Sequence, residues 1–255
     1  MSGIEFFEKG QGQPIVLIHG FCEIAEMWSD FANSLSKDFR IICPNLPGIG
    51  NSKLEQSSLT MEEIAVLLEN WLEEEGILNP IVIGHSLGGY VTLALTELMG
   101  HKLKAIGLFH STAFADSQEK KEMRDRTVIF LQKYGVDTFV TSFVPPLFPE
   151  NRREELYSDI QLAIEQGKNC SLEGLIVLTK AMRDRKDRME VLENFQGSKL
   201  MIAGELDAAV PIEASRKHQE AVTNYVELPE TGHVGMIERK EETIEIIRSF
   251  GKSLN

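Results

Sequence analysis

Five short apolar, β-branched runs recur along the chain, each bounded by turn residues: Pro14–Ile18, then residues 39–43, 81–83, 103–109 and 200–203. None of them alternates apolar with polar positions. Loss of alternation is the mark of strands covered on both faces, as in a mostly parallel sheet. Between the runs the apolar spacing lengthens to that of a helix. Met61–Glu74 places Ile64, Leu67, Leu68, Trp71 and Leu72 on one stripe, with Thr60 ahead of it and Glu63 three residues on, the arrangement of a capping box. Leu87–Met99 is apolar nearly all round, which predicts a buried helix, and residues 237–254 predict an amphipathic helix lying on one sheet face. Strands alternating with helices predict an α/β doubly wound sheet.

Residues 112–195 break this rhythm. They contain no strand pattern but four helical ones, at 118–134, 136–143, 152–165 and 172–183, divided by Pro145, Pro146 and Pro149. An all-helical insertion between two sheet strands predicts a cap, or lid, over one edge of the sheet. The expected organisation is a core of residues 1–111 and 196–255 with a helical cap at 112–195.

At 255 residues the chain suits one large domain or two small ones, and it is long enough to bury its core without disulfides or metals. A net charge of −13 argues against nucleic acid and anionic membrane as partners, since both call for a basic face. The three cysteines, Cys22, Cys43 and Cys170, show no CxxC spacing and predict reduced thiols. With no signal-peptide pattern and no run of about 18 apolar residues, the expectation is a soluble cytoplasmic protein with no membrane partner. The sequence carries no reading of oligomeric state.

The chemistry begins at Gly84-His85-Ser86-Leu87-Gly88-Gly89, which follows one predicted strand and opens one predicted helix. That is the setting of a nucleophile elbow, G-x-S-x-G. Gly84 and Gly88 allow the sharp turn, Gly89 allows the helix to approach the strand, and the Ser86 hydroxyl is raised above the sheet. A serine hydroxyl is a weak nucleophile until a base removes its proton, so a histidine and an orienting carboxylate are required elsewhere.

From this point the chain resembles the α/β-hydrolase superfamily over almost its whole length, in the esterase, enol-lactonase and haloperoxidase-like branch. The resemblance rests on the elbow and on four further landmarks in order. "LIHGF" matches the H-G turn after an early strand, "NLPGIGNS" the D-x-P-G-x-G-x-S loop, "AGELDAAVP" the acid loop and "ETGHVGMIE" the histidine loop. It implies a catalytic triad of Ser86, Asp207 and His233, an oxyanion hole made by the backbone N–H groups of Phe21 and Leu87, and a cap inserted after the sixth strand. Two positions depart from the pattern: Asn45 stands where Asp is usual and Ile49 where His is frequent, which bears on local turn bonding rather than on the triad.

Each role has rivals. His19 and His85 sit inside backbone turns and are expected to serve packing or loop hydrogen bonds; His218 is expected to be solvated on a surface helix; His101 is a further candidate base. Glu205 competes with Asp207. His110 and Ser111 either line the pocket or simply end a strand. In the insertion, Arg124, Arg126, Arg183, Arg185 and Arg188 alternate with Asp125, Asp184 and Asp187, the pattern of a solvated face, although one arginine meeting a substrate carboxylate is the other reading. Phe143, Val144, Leu147 and Phe148 read as cap core, partly as substrate contact. "GIG" at 48–50 lacks dinucleotide-site spacing and no metal-ligand spacing occurs, so no cofactor and no metal is expected.

The resemblance thus implies hydrolysis of small esters, thioesters or lactones through an acyl-enzyme, the partner being a small-molecule acyl substrate. Carbon–carbon bond hydrolysis or perhydrolysis with the same triad, a slow-turnover ligand receptor and an inactive scaffold are the alternatives. Serine at 86 speaks against epoxide hydrolases and dehalogenases, whose nucleophile is usually Asp.

Overall fold

A computed structural model describes residues 3–254; residues 1, 2 and 255 of the expected core lie outside the described residues. Seven strands form one sheet: β1 (Phe6–Lys9), β2 (Pro14–Ile18), β3 (Arg40–Pro44), β4 (Ile81–His85), β5 (Ala105–Phe109), β6 (Ser198–Gly204) and β7 (Asn224–Leu228), in the order β1-β3-β2-β4-β5-β6-β7. Every neighbouring pair is parallel except β1 against β3. All five residues of β4 and of β5 are buried, which is why these strands read as unbroken apolar runs. The sequence pattern does not reveal β1: it is short, half-buried and at the edge, so it carries no apolar run.

The helices are α1 (Ser29–Leu35), α2 (Met61–Glu74), α3 (Leu87–Met99), α4 (Gln118–Phe143), α5 (Tyr157–Gly167), α6 (Leu172–Asp184), α7 (Met189–Asn194), α8 (Ile212–Arg216), α9 (Gly235–Glu238) and α10 (Lys240–Ser253). The Thr60–Glu63 capping box opens α2 as expected, each side chain bonded to the other residue's backbone N–H. Gly135, with φ of 77°, breaks α4 into the two segments expected on either side of it. The single helix expected over 237–254 is instead two, α9 and α10, separated at Arg239, whose φ of −134° is not helical.

Between β5 and β6 the chain forms only helices and turns, α4 to α7. This insertion follows the fifth strand of the described residues, where the resemblance implies the sixth, because the stretch ahead of β2 forms only β1. Its entry and exit meet: Arg188 N–H donates to Ala113 O at 2.8 Å.

Three expectations are corrected around this neck. His218 is fully buried rather than solvated: it closes the turn after α8, donates from Nδ1 to Ala214 O at 3.0 Å and accepts at Nε2 from Ala113 N–H at 3.0 Å. Arg185 is buried, 2.8 Å from Asp116 Oδ1 and 3.9 Å above the Tyr90 ring. Arg188 is buried and joins the insertion to α2 and α3 through Glu62 (2.7 Å) and Glu97 (3.0 Å). Charge alternation counts only neighbours in sequence, and the partners of these two arginines come from distant segments. Arg183, paired with Asp125 and Asp184 at the surface, does behave as a solvated face. Because Arg188→Ala removes charge-assisted bonds and leaves a buried gap, it is expected to cost about 2 kcal/mol. Thermal unfolding should show the lowered midpoint.

Candidate active site

The C-terminal ends of four parallel strands converge at one point, where crevices of such sheets form. The turn after β2 brings His19 to Phe21, the end of β4 brings Ser86, the loop after β6 brings Asp207, and the loop after β7 brings His233.

Ser86 has φ of 49° and ψ of −112°, a conformation most side-chain-bearing residues avoid. Its surroundings enforce it. A Cβ on Gly84 would lie 2.1 Å from Gly88 C, and one on Gly88 would lie 2.4 Å from Ile18 O, so neither position tolerates a side chain. Ser86 N–H donates to Phe109 O, and Ser111 Oγ donates to Ser86 O at 2.7 Å. Ser111 therefore supports the elbow. Gly89 makes room for it, since a Cβ there would stand 2.3 Å from Ser111 Oγ.

The Ser86 hydroxyl lies 2.8 Å from His233 Nε2. His233 Nδ1 in turn lies 2.9 and 2.8 Å from the two oxygens of Asp207. Asp207 Oδ1 also accepts from Ala209 N–H (2.9 Å) and Val210 N–H (2.8 Å), which fixes the carboxylate in its loop. Burial alone would raise the Asp207 pKa, but the facing His233 and His110 rings hold it far below the ordinary carboxylate value. Burial likewise works to lower His233, and the Asp207 carboxylate outweighs it, so the imidazole is more basic than usual. The histidine loop is shaped by Glu238, whose buried carboxylate accepts from Gly232 N–H and Val234 N–H.

The backbone N–H groups of Phe21 and Leu87 make no hydrogen bond among the described residues. Leu87 opens α3, where the first N–H groups lack an intrahelical partner.

The rivals separate cleanly. Glu205 is exposed and accepts from Glu230 N–H, away from His233. His101 is exposed in the short turn after α3. His19 bonds Gly20 O and accepts from Leu46 N–H, a loop role as expected. Asn45 preserves the turn: its Oδ1 accepts from Ala25 N–H and its Nδ2 donates to Glu5, both at 2.8 Å. His110 stands behind Asp207, with Nδ1 3.3 Å from Oδ2 but poorly aligned for a hydrogen bond, and Nε2 accepting from Gly235 N–H. Burial pushes its pKa down to about 4 against the pull of Asp207, which keeps it neutral at ordinary pH. Among the described residues no group of three or more His, Cys, Asp or Glu side chains is placed to hold a metal ion.

Beside Phe21 and Val234 lies a mostly apolar cleft closed by the insertion, with Met27, Val144, Leu147 and Ala163 in its wall. The aromatic rings of Phe139 and Phe143 stack on each other and meet Phe21 edge-on. Of the four apolar residues singled out in the insertion, Phe148 is core, while Val144 and Leu147 serve both core and cleft wall.

Residues 15–246 match the model of the alpha/beta hydrolase family. The chain belongs to that family. Among relatives of this hydrolase, the dihydrolipoyllysine-residue acetyltransferase component of the acetoin cleaving system of Pseudomonas putida is 25% identical over 97% of the chain. The pimeloyl-[acyl-carrier protein] methyl ester esterase of Vibrio cholerae is 43% identical over 32% of it. The chain spans 66% of the length of the first of these proteins and 31% of the second. A thermophilic esterase from Thermogutta terrifontis superposes with a TM-score of 0.93 at 26% identity, covering 98% of this chain and 93% of its own. No helix of the hydrolase, among the described residues, is long and apolar enough to cross a membrane.

Proposed function

We propose that the protein is a serine hydrolase of small ester, thioester or lactone substrates. One observation carries the reading: Ser86 Oγ, His233 and Asp207 form a continuous hydrogen-bonded chain at 2.8–2.9 Å beside two unpartnered backbone N–H groups. In this reading His233 Nε2 takes the Ser86 proton as Oγ attacks the carbonyl carbon. Asp207 stabilises the imidazolium, and the N–H groups of Phe21 and Leu87 receive the oxyanion. His233 then gives its proton to the departing alcohol or thiol. Water, deprotonated by the same nitrogen, releases the acid and restores Ser86. The insertion acts as a cap: Leu147 O accepts the N–H of His233 at 2.8 Å, and Val144 and Leu147 stand beside Phe21. Of the cap arginines raised as carboxylate partners, Arg124 and Arg185 are held by Asp116 and Arg188 by Glu62 and Glu97. The unpaired thiols of Cys22, Cys43 and Cys170 support a cytoplasmic setting.

A fluorophosphonate probe read by intact mass tests the proposal directly. One adduct per chain, absent in the Ser86→Ala variant, is the expected result. Turnover below about one per minute on every short ester and lactone tried, far under ordinary enzyme rates, combined with ligand-dependent melting would replace it with the receptor reading. The pH profile gives a second check. Only neutral His233 accepts a proton, and its pKa is raised above the ordinary imidazole value of 6.5. The rise of kcat/KM with pH should therefore have its midpoint above that value, and a midpoint below it would contradict the Asp207–His233 pairing.

A further inference from the structure

Outside the Ser86–His233–Asp207 chain lies a second chain of titratable groups, the buried His85 and the half-buried Glu23. His85 Nδ1 is 3.0 Å from the Glu23 carboxylate, and His85 Nε2 is 2.8 Å from the main-chain O of His233. A carbonyl only accepts, so His85 Nε2 donates to His233 O, and Nδ1 faces the Glu23 carboxylate. The Glu23 carboxylate also accepts the N–H of Gly20 in a close contact. Gly20 leaves no space to spare: a Cβ there would stand 2.7 Å from both Glu23 Oε2 and His85 Nδ1. Burial works against the Glu23 charge, but the His85 ring and the Gly20 N–H more than offset it, so the carboxyl group stays ionised.

Three loops therefore hang on one hydrogen-bonded chain. Gly20 precedes Phe21, whose N–H points to the oxyanion role; His85 precedes Ser86; the carbonyl of His233 belongs to the general base itself. We propose that Glu23 and His85 are positioning residues that hold the oxyanion turn and the His233 loop in register with the Ser86 elbow. The inference rests on the hydrolase reading above and extends it: relative placement of donor, nucleophile and base is set by a second proton-bearing chain rather than by the triad alone. Errors of about 1 Å in such placement cost up to about a hundredfold in rate, while leaving a substrate's apolar contacts in place.

The experiment compares wild type, Glu23→Ala, Glu23→Gln and His85→Leu, using 4-nitrophenyl acetate and butyrate, fluorophosphonate labelling rates, thermal midpoints and ring 15N NMR of His233. In Glu23→Gln the new side chain can accept from Gly20 with its amide oxygen and donate to His85 Nδ1 with its NH2, leaving the His85–His233 bond intact. Glu23→Ala and His85→Leu are expected to lower kcat and the labelling rate about ten- to a hundredfold, with KM changed less than about threefold and the His233 ring signals displaced. Glu23→Gln should recover most of that loss. A folded Glu23→Ala or His85→Leu protein with wild-type kcat and unmoved His233 signals overturns the proposal. So does a loss in kcat that Glu23→Gln fails to restore. Wild type that resists labelling, while its His233 signals still respond to Glu23→Ala, would overturn the hydrolase reading and uphold the positioning chain.

Discussion

Ser86→Ala is expected to abolish fluorophosphonate labelling and to lower kcat on any hydrolysed ester by at least about 10⁴. What survives is the catalysis that water gains from the oxyanion N–H groups and from binding alone, since no other hydroxyl replaces Oγ beside His233 Nε2. Ser111 is the nearest conceivable substitute, but its Oγ donates to Ser86 O behind the elbow. The alanine keeps the same backbone, because Gly84, Gly88 and the Ser86 N–H bond to Phe109 enforce it. Near-wild-type melting alongside lost labelling would separate chemistry from folding. Residual activity above about a tenth of wild type would remove Ser86 from the mechanism.

Asp207→Asn should be almost as damaging, by about 10⁴ in kcat, for a reason legible in the hydrogen bonds. Oδ1 accepts from two backbone N–H groups, Ala209 and Val210, so the amide oxygen of an asparagine must take that place. The amide NH2 then occupies the Oδ2 position, 2.8 Å from His233 Nδ1. An NH2 there donates towards Nδ1 and disfavours a proton on it, which shifts the ring to the tautomer protonated at Nε2, although the amide oxygen at the Oδ1 position stays 2.9 Å from Nδ1. In that tautomer the ring faces Ser86 with an N–H and cannot take the serine proton. Steady-state kinetics and ring NMR of His233 together check this. A loss under tenfold, or an Nδ1–H signal persisting in the variant, would contradict the assigned roles.

Much of this site is legible in the amino-acid order alone. The G-x-S-x-G stretch between a buried run and an apolar helix predicts the elbow, because only glycine can flank so tight a turn. The triad order and the acid and histidine loops come with the family resemblance, and the extent of the insertion follows from a change in apolar period. What escapes has a common cause: it depends on contacts between residues far apart in sequence. Nothing local tells that His85 faces Glu23, that His110 backs Asp207, or that Arg185 and Arg188 turn inward to Asp116, Glu62 and Glu97. His218 misleads for the same reason, since a short polar helix reads as surface until Ala113 is placed against it. Strand β1 escapes because an edge strand needs no apolar run.

The single hydrogen bond from Arg188 N–H to Ala113 O bears on how far the insertion can vary. The chain leaves the sheet and returns to it at almost the same spot, so the loop it closes is already shut at its base. A segment joined in that way can lengthen, shorten or be exchanged with little effect on strand register, because closing the loop costs only slowly more as residues are added. Residues 114–187 thus form a loop shut at its base, whose length can change at little entropic cost to the sheet as long as Leu147 O still meets the N–H of His233 at 2.8 Å.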